Sequence, residues 1–154
     1  MLIAALLVNS DNIQCQNSTA TSKKRVIENL SHLLAANTNR VSANKIFQAL
    51  LERERLGSTA LGKGVAIPHA RIPGITHAIS VMMTLETPVD FDAADKQKVD
   101  IIFGLVEPED DNIHHLEHLA RIVTLLRDQQ ICQSIRETHE PDKMFDLLLA
   151  IDDD

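Results

Sequence analysis

The stretch VDIIFGLVE, Val99–Glu107, constrains the fold more than any other part of the chain. It is apolar almost without interruption and has the length of one strand. A half-buried strand alternates apolar and polar residues, so a strand without alternation has both faces in the core. Such a strand needs a covering layer on each side. The rest of the sequence supplies helices for both. Val26, Ile27, Leu30, Leu33 and Leu34 recur at helical spacing behind Ser and Thr caps. A second helix starts near Ser42, carries Ile46, Phe47, Leu50 and Leu51 on one face, and stops at Gly57. A third runs from Asn112 to about Arg127, followed by two shorter ones over Gln130–Arg136 and Asp142–Ile151. Further strands are expected at Asn12–Gln16, in VAIPHA (Val65–Ala70) and at Ala78–Glu86. The order β-α-α-β-β-β-α-α-α predicts a three-layer α/β/α sandwich, of the α/β or α+β class, with a mixed sheet of four to five strands.

The 154 residues are expected to form a single domain. With four Phe and no Trp or Tyr, the core must be aliphatic. A net charge of −7 and the lack of any Lys/Arg run argue against nucleic acid as a partner and against a membrane-surface role. The apolar start MLIAALLV has neither a basic flank nor spanning length, and reads as a short element packed on the core of a cytoplasmic protein. Cys15 and Cys132 stand far apart, as reduced thiols rather than a disulfide or zinc framework. Asp152–Asp154 reads as a solvated acidic tail.

GSTALGKGVAIPHAR, Gly57–Arg71, poses a functional question. Gly57, Gly62 and Lys63 have the spacing of a phosphate-cradling P-loop, but Gly64 stands where that motif needs a hydroxyl. A P-loop also leaves a strand and opens a helix, using the helix N-terminus to hold phosphate. This stretch leaves a helix and enters a strand, so its glycines read as a helix exit and tight turns.

Of the seven histidines, His32, His77 and His139 read as ordinary surface or core residues. His114, Glu117 and His118 match the H-x-x-E-H pattern of inverted zinc peptidases, but too little chain follows for a third ligand and a cleft. With Leu116, Leu119, Ala120, Val123 and Leu126 as the apolar face, His114 and His118 are expected to face solvent. His115 shares a stripe with Leu119, Ile122 and Leu126 and should face the body of the protein, either as a satisfied core residue or toward a site. His69 follows Pro68, where the chain is expected to leave the sheet and expose the imidazole at a rim.

The segments LLERERLGSTALGKGVAIPHAR, HAISVMMTLETPVDFDAADKQKVDIIFGLVEP and HLEHLARIV resemble the enzyme IIA family of the fructose and mannitol type in the bacterial phosphotransferase system, nearest its nitrogen-regulatory branch. The resemblance covers nearly the whole chain, and implies one IIA type-2 domain over residues 1–154. It implies that His69 is the phosphorylated nucleophile and that His115 hydrogen-bonds the phosphoryl group. It places Arg53 near the same site and Ser58 and Thr59 in the loop beside it, as one wall of a phosphate site. It implies no metal and no cofactor. The implied donor is a histidine phosphocarrier protein, of the nitrogen-type or general chain. The implied recipients are regulatory protein targets or, alternatively, a IIB subunit of a fructose- or mannitol-type permease. Ala60 and Ala70-Arg71 depart from the family's usual glycine and Gly-Lys. Docking of a protein donor predicts an exposed apolar patch near His69, with Ile72 and Ile75 as candidates. A binding module that has lost transfer, and a zinc hydrolase, are the rival readings.

Overall fold

A computed structural model describes residues 2–152. Its sheet has six strands: β1 (Ile13–Asn17), β2 (Ala60–Gly62), β3 (Val65–Ala66), β4 (His69–Ile72), β5 (Ile79–Val89) and β6 (Val99–Pro108). They lie in the order β1-β5-β6-β3-β2, with β4 also paired to β6. β1 is parallel to β5, β5 antiparallel to β6, and both β3 and β4 parallel to β6, so the sheet is mixed.

Two helices, α2 (Lys23–Ala35) and α3 (Ala43–Arg55), cover one face. Ser22 and Ser42 cap them, each side chain accepting a backbone N–H from the first turn. The other face is covered by α1 (Leu2–Leu7), α4 (Asn112–Leu126), α5 (Gln129–Glu137) and α6 (Pro141–Asp152). The expected three layers are present, and MLIAALLV forms α1 on the core. Of the expected acidic tail, Asp152 ends α6, while Asp153 and Asp154 lie outside the described residues.

β6 is buried on both faces, as its sequence requires. Ile101, Phe103 and Leu105 join the cluster under α4, α5 and α6, whereas Ile102 and Val106 join the one under α2 and α3. Gly104 lets α2 close in: a Cβ there would lie 3.3 Å from Leu30 and from Val81.

The sheet has more strands than the expected four to five because the VAIPHA stretch is split. β3 pairs with β6 from Val65↔Ile101, and β4 resumes from His69↔Leu105. The expectation that the chain leaves the sheet at Pro68 is therefore corrected. Proline lacks an N–H, but its carbonyl still accepts from Leu105 N at 3.0 Å, so the ladder continues past it. β2 folds back antiparallel on β3 through a turn at Lys63 and Gly64.

Gly64 has φ +86°, and a Cβ there would meet the Arg136 guanidinium at 2.5 Å. That guanidinium is held by Asp100 at 2.9 Å and by the Lys63 carbonyl at 3.0 Å. Gly64→Ser, which completes the P-loop pattern, is expected to lower stability by about 1–3 kcal/mol through overpacking in a left-handed turn. The urea midpoint measures it, and an unchanged midpoint contradicts this account of the turn.

Candidate active site

The parallel register of β4 on β6 sets His69 opposite Leu105, on the face covered by α4. Pro68 fixes the backbone just before it, and the imidazole turns back so that Nδ1 lies 2.7 Å from the Ile67 carbonyl. A carbonyl can only accept, so Nδ1 carries the hydrogen and Nε2 keeps its lone pair. Burial lowers the His69 pKa below its ordinary value of 6.5, with Arg53 and His115 adding to that; the Ile67 carbonyl and Glu54 act in the opposite direction. The neutral, nucleophilic form is thereby favoured near neutral pH.

An open groove of about 690 Å³ runs over His69, lined by Arg53, His69, Arg71 and His115, with Glu52 and Glu109 among its acidic residues. The His69 and His115 rings face each other with centroids 5.7 Å apart and planes inclined at 45°. Arg53, in the last turn of α3, is anchored by donating to the Gly57 carbonyl at 2.9 Å. Arg71 follows His69 by two residues on β4 and so shares its face. A bound phosphoryl group here would meet two guanidinium groups and an imidazole.

Ser58 and Thr59 lie beside this site, but neither lines the groove. Ser58 Oγ donates to the Phe91 carbonyl at 2.6 Å and accepts from Ala60 N. Thr59 is buried; its hydroxyl and its backbone N–H both donate to the Glu54 carboxylate. Lys23 Nζ reaches the same carboxylate at 3.1 Å and also Asp92 at 3.2 Å. These residues tie α2, α3 and the turn before β2 into one support beneath the groove.

The histidines of α4 depart from their expected placement. His114 is exposed; it pairs with Asp111, which raises its pKa and which also caps the helix. His118 was expected in solvent, yet its side chain is only 16 % exposed and bonds Glu107 Oε2 through Nδ1. The buried stripe of α4 is the one that runs through His115, Leu119, Ile122 and Leu126, with His118 on its flank; Leu116 and Ala120 are exposed. His115 Nδ1 bonds Glu107 Oε1 at 2.5 Å. Glu107, Arg71 and His118 are the site residues that sequence reasoning missed. Arg71 could have been found from the two-residue strand period, and His118 from its position one helical turn after His115.

The exposed apolar patch is also elsewhere. Ile72 and Ile75 are buried in the α2/α3 core, since Ile72 is one residue out of phase with Arg71 on β4. Leu56, on the groove wall, and Ile113 and Leu116, on the first turns of α4, are the exposed large side chains here, at 81 %, 72 % and 67 %. Among the described residues, no helix is long and apolar enough to cross a membrane, and no group of three His, Cys, Asp or Glu residues is arranged to hold a metal ion.

Residues 6–151 match the family model described as phosphoenolpyruvate-dependent sugar phosphotransferase system, EIIA 2. The chain belongs to this family. It is 38 % identical over 148 residues to a nitrogen regulatory protein of Klebsiella oxytoca, covering 94 % of this chain and 91 % of that one. The crystal structure of nitrogen regulatory protein IIA-Ntr from Neisseria meningitidis superposes with a TM-score of 0.89 at 34 % identity, covering 96 % of this chain and 99 % of that one. A 2-O-alpha-mannosyl-D-glycerate-specific EIIABC component of Escherichia coli K12 is 32 % identical over 141 residues, covering 90 % of this chain but 21 % of that one. The sequence resemblance to the IIA family thus stands, as does the expected fold.

Thr59→Val is expected to destabilise the protein by about 1–3 kcal/mol, because it removes the hydroxyl donor from the buried Glu54 carboxylate. Chemical denaturation checks it. A loss below a few tenths of a kcal/mol would mean that the carboxylate is satisfied without Thr59.

Proposed function

We propose that this chain is a cytoplasmic phosphohistidine protein of the phosphotransferase system, which accepts a phosphoryl group on His69 Nε2 and acts as a regulator. The observation that carries it is the His69 geometry: Nδ1 bound to the Ile67 carbonyl, Nε2 available, burial favouring the neutral ring, and a groove with Arg53, Arg71 and His115 beside it. The regulatory branch is supported by the nitrogen regulatory relatives, which align with this chain over nearly their full length. The transport reading, in which the phosphoryl group passes to a IIB subunit, rests on a relative of which the chain matches only one fifth.

Phosphoryl transfer needs positioning and charge stabilisation more than covalent assistance. The donor is a phosphohistidine on a phosphocarrier protein, within a chain fed by phosphoenolpyruvate. His69 Nε2 attacks phosphorus in line. The new N–P bond forms as the donor's N–P bond breaks, and that bond's electron pair returns to the donor's ring nitrogen. No proton has to move on His69, because it keeps its Nδ1–H on Ile67. Arg53, Arg71 and His115 donate to the equatorial oxygens. Leu56, Ile113 and Leu116 form the apolar rim on which the phosphocarrier docks.

Incubation with phosphoenolpyruvate, the first enzyme of the chain and its phosphocarrier is expected to leave an acid-labile phosphate that is lost in His69→Ala. Absence of label on the wild type refutes the phosphohistidine reading; label retained in His69→Ala refutes the site. His115→Ala is expected to slow labelling while leaving the thermal midpoint nearly unchanged. A subsequent transfer to a IIB subunit at a comparable rate would favour the transport branch.

The pH dependence follows from the direction of the His69 shift. Protonating Nε2 removes the nucleophile, so the rate falls as pH drops through the folded value. Burial puts that value below 6.5, so labelling is expected to persist at pH 6.5 and to fall only at lower pH. A rate of acceptance already half lost above pH 6.5, once the carrier's own titration is subtracted, contradicts it.

A further inference from the structure

Glu107 is 1 % exposed at the end of β6, and the transfer step above does not call for a carboxylate there. Burying an ionised carboxylate is strongly disfavoured unless donors satisfy its oxygens. Here each oxygen takes one imidazole: Oε1 the Nδ1–H of His115 at 2.5 Å, Oε2 the Nδ1–H of His118. The two histidines are three residues apart on α4, so their side chains leave the helix on the same side. A carboxylate acceptor decides which nitrogen of each ring carries hydrogen. For His115 that leaves Nε2 as the nitrogen available to the groove it lines.

The geometry points to Glu107 as the positioning residue of His115, with His118 as the second donor that holds the carboxylate in place. This role rests on the reading that His69 is phosphorylated. A phosphoryl oxygen only accepts, so in the phosphorylated protein His115 must donate through Nε2–H while Nδ1–H stays on Glu107. The ring is then an imidazolium between two anions, the phosphoryl group and Glu107, and its second proton comes from solvent through the open groove. Without Glu107 the ring could turn, and no anion behind it would offset the charge of the second proton that lets Nε2 donate. His118 does not line the groove and acts only through the carboxylate. Carboxylates that orient a metal-bound imidazole commonly contribute about tenfold or more to activity, and an effect of that order is expected for the same orienting contact here.

The test combines imidazole nitrogen–proton NMR with transfer kinetics. In the unphosphorylated wild type, both His115 and His118 are expected to carry hydrogen on Nδ1; after phosphorylation, His115 is expected to carry hydrogen on both nitrogens. Glu107→Gln keeps one acceptor oxygen and turns an amide donor toward the other ring. One Nδ1–H signal should vanish, and because either orientation of the amide removes the negative charge behind His115, the maximal rate of labelling should fall about tenfold. The half-saturating phosphocarrier concentration should not change. A folded Glu107→Gln that labels His69 at the wild-type rate overturns the positioning role and leaves the phosphohistidine reading intact. If the variant does not fold, the wild-type spectra decide. A His115 unprotonated at Nδ1, or lacking Nε2–H once His69 is phosphorylated, overturns the role. A wild type that takes no label on His69 overturns the phosphohistidine reading, and the positioning role with it.

Discussion

The parallel pairing of β4 with β6 is the contact on which the site depends. Its register, His69↔Leu105 through Ile72↔Pro108, decides which layer each side chain of β4 enters. A strand has a side-chain period of two, so a slip of one residue would send His69 toward α3 and put Ala70 under α4. The same pairing brings the end of β6, and with it Glu107, under the first turns of α4. Nucleophile, second histidine and carboxylate therefore converge through one stretch of sheet. Pro68 does not break that stretch, because the pairing needs its carbonyl and not an N–H.

The layers were legible because they rest on strong periodic signals. VDIIFGLVE is buried on both faces, and Ser22 and Ser42 mark the helix starts that their sequence positions suggest. The errors arose where polarity was taken as a guide to direction. On α4, His118 counted as a polar residue and was assigned to solvent, while Leu116 counted as apolar and was assigned to the core. The reverse holds: a buried carboxylate on the facing strand gives the imidazole a partner, and Leu116 is exposed. No helical period encodes a partner on another element. Ile72 shows the complementary failure: a four-residue strand is too short for its alternation to announce which face each residue takes.

Ser58 and Thr59 show how a residue can lie beside a site without facing it. Their hydroxyls donate to Phe91 and Glu54, and the Glu54 carboxylate in turn holds Lys23. The donors that do line the groove, Arg53 and Arg71, are long side chains that reach it from two different elements. Short hydroxyl side chains reach only their immediate surroundings, so a loop set one layer back serves to fix the backbone that carries Arg53 and the approach to β2.

The charge arrangement sets two demands against each other. The nucleophile must be neutral, which burial and the Arg53 guanidinium both favour. The phosphoryl group it receives carries about two negative charges at neutral pH, and the chain as a whole carries −7, so the overall field repels it. Stabilisation must then be local, within the reach of Arg53, Arg71 and His115. An imidazole is a good member of that set only if its proton faces the phosphoryl oxygen. An arginine cannot present a lone pair, but a histidine can. A histidine can donate both to the phosphoryl oxygen and to an acceptor behind it only as an imidazolium, which an anion behind it favours, and in this fold the end of β6 supplies that carboxylate from the layer that also carries the nucleophile.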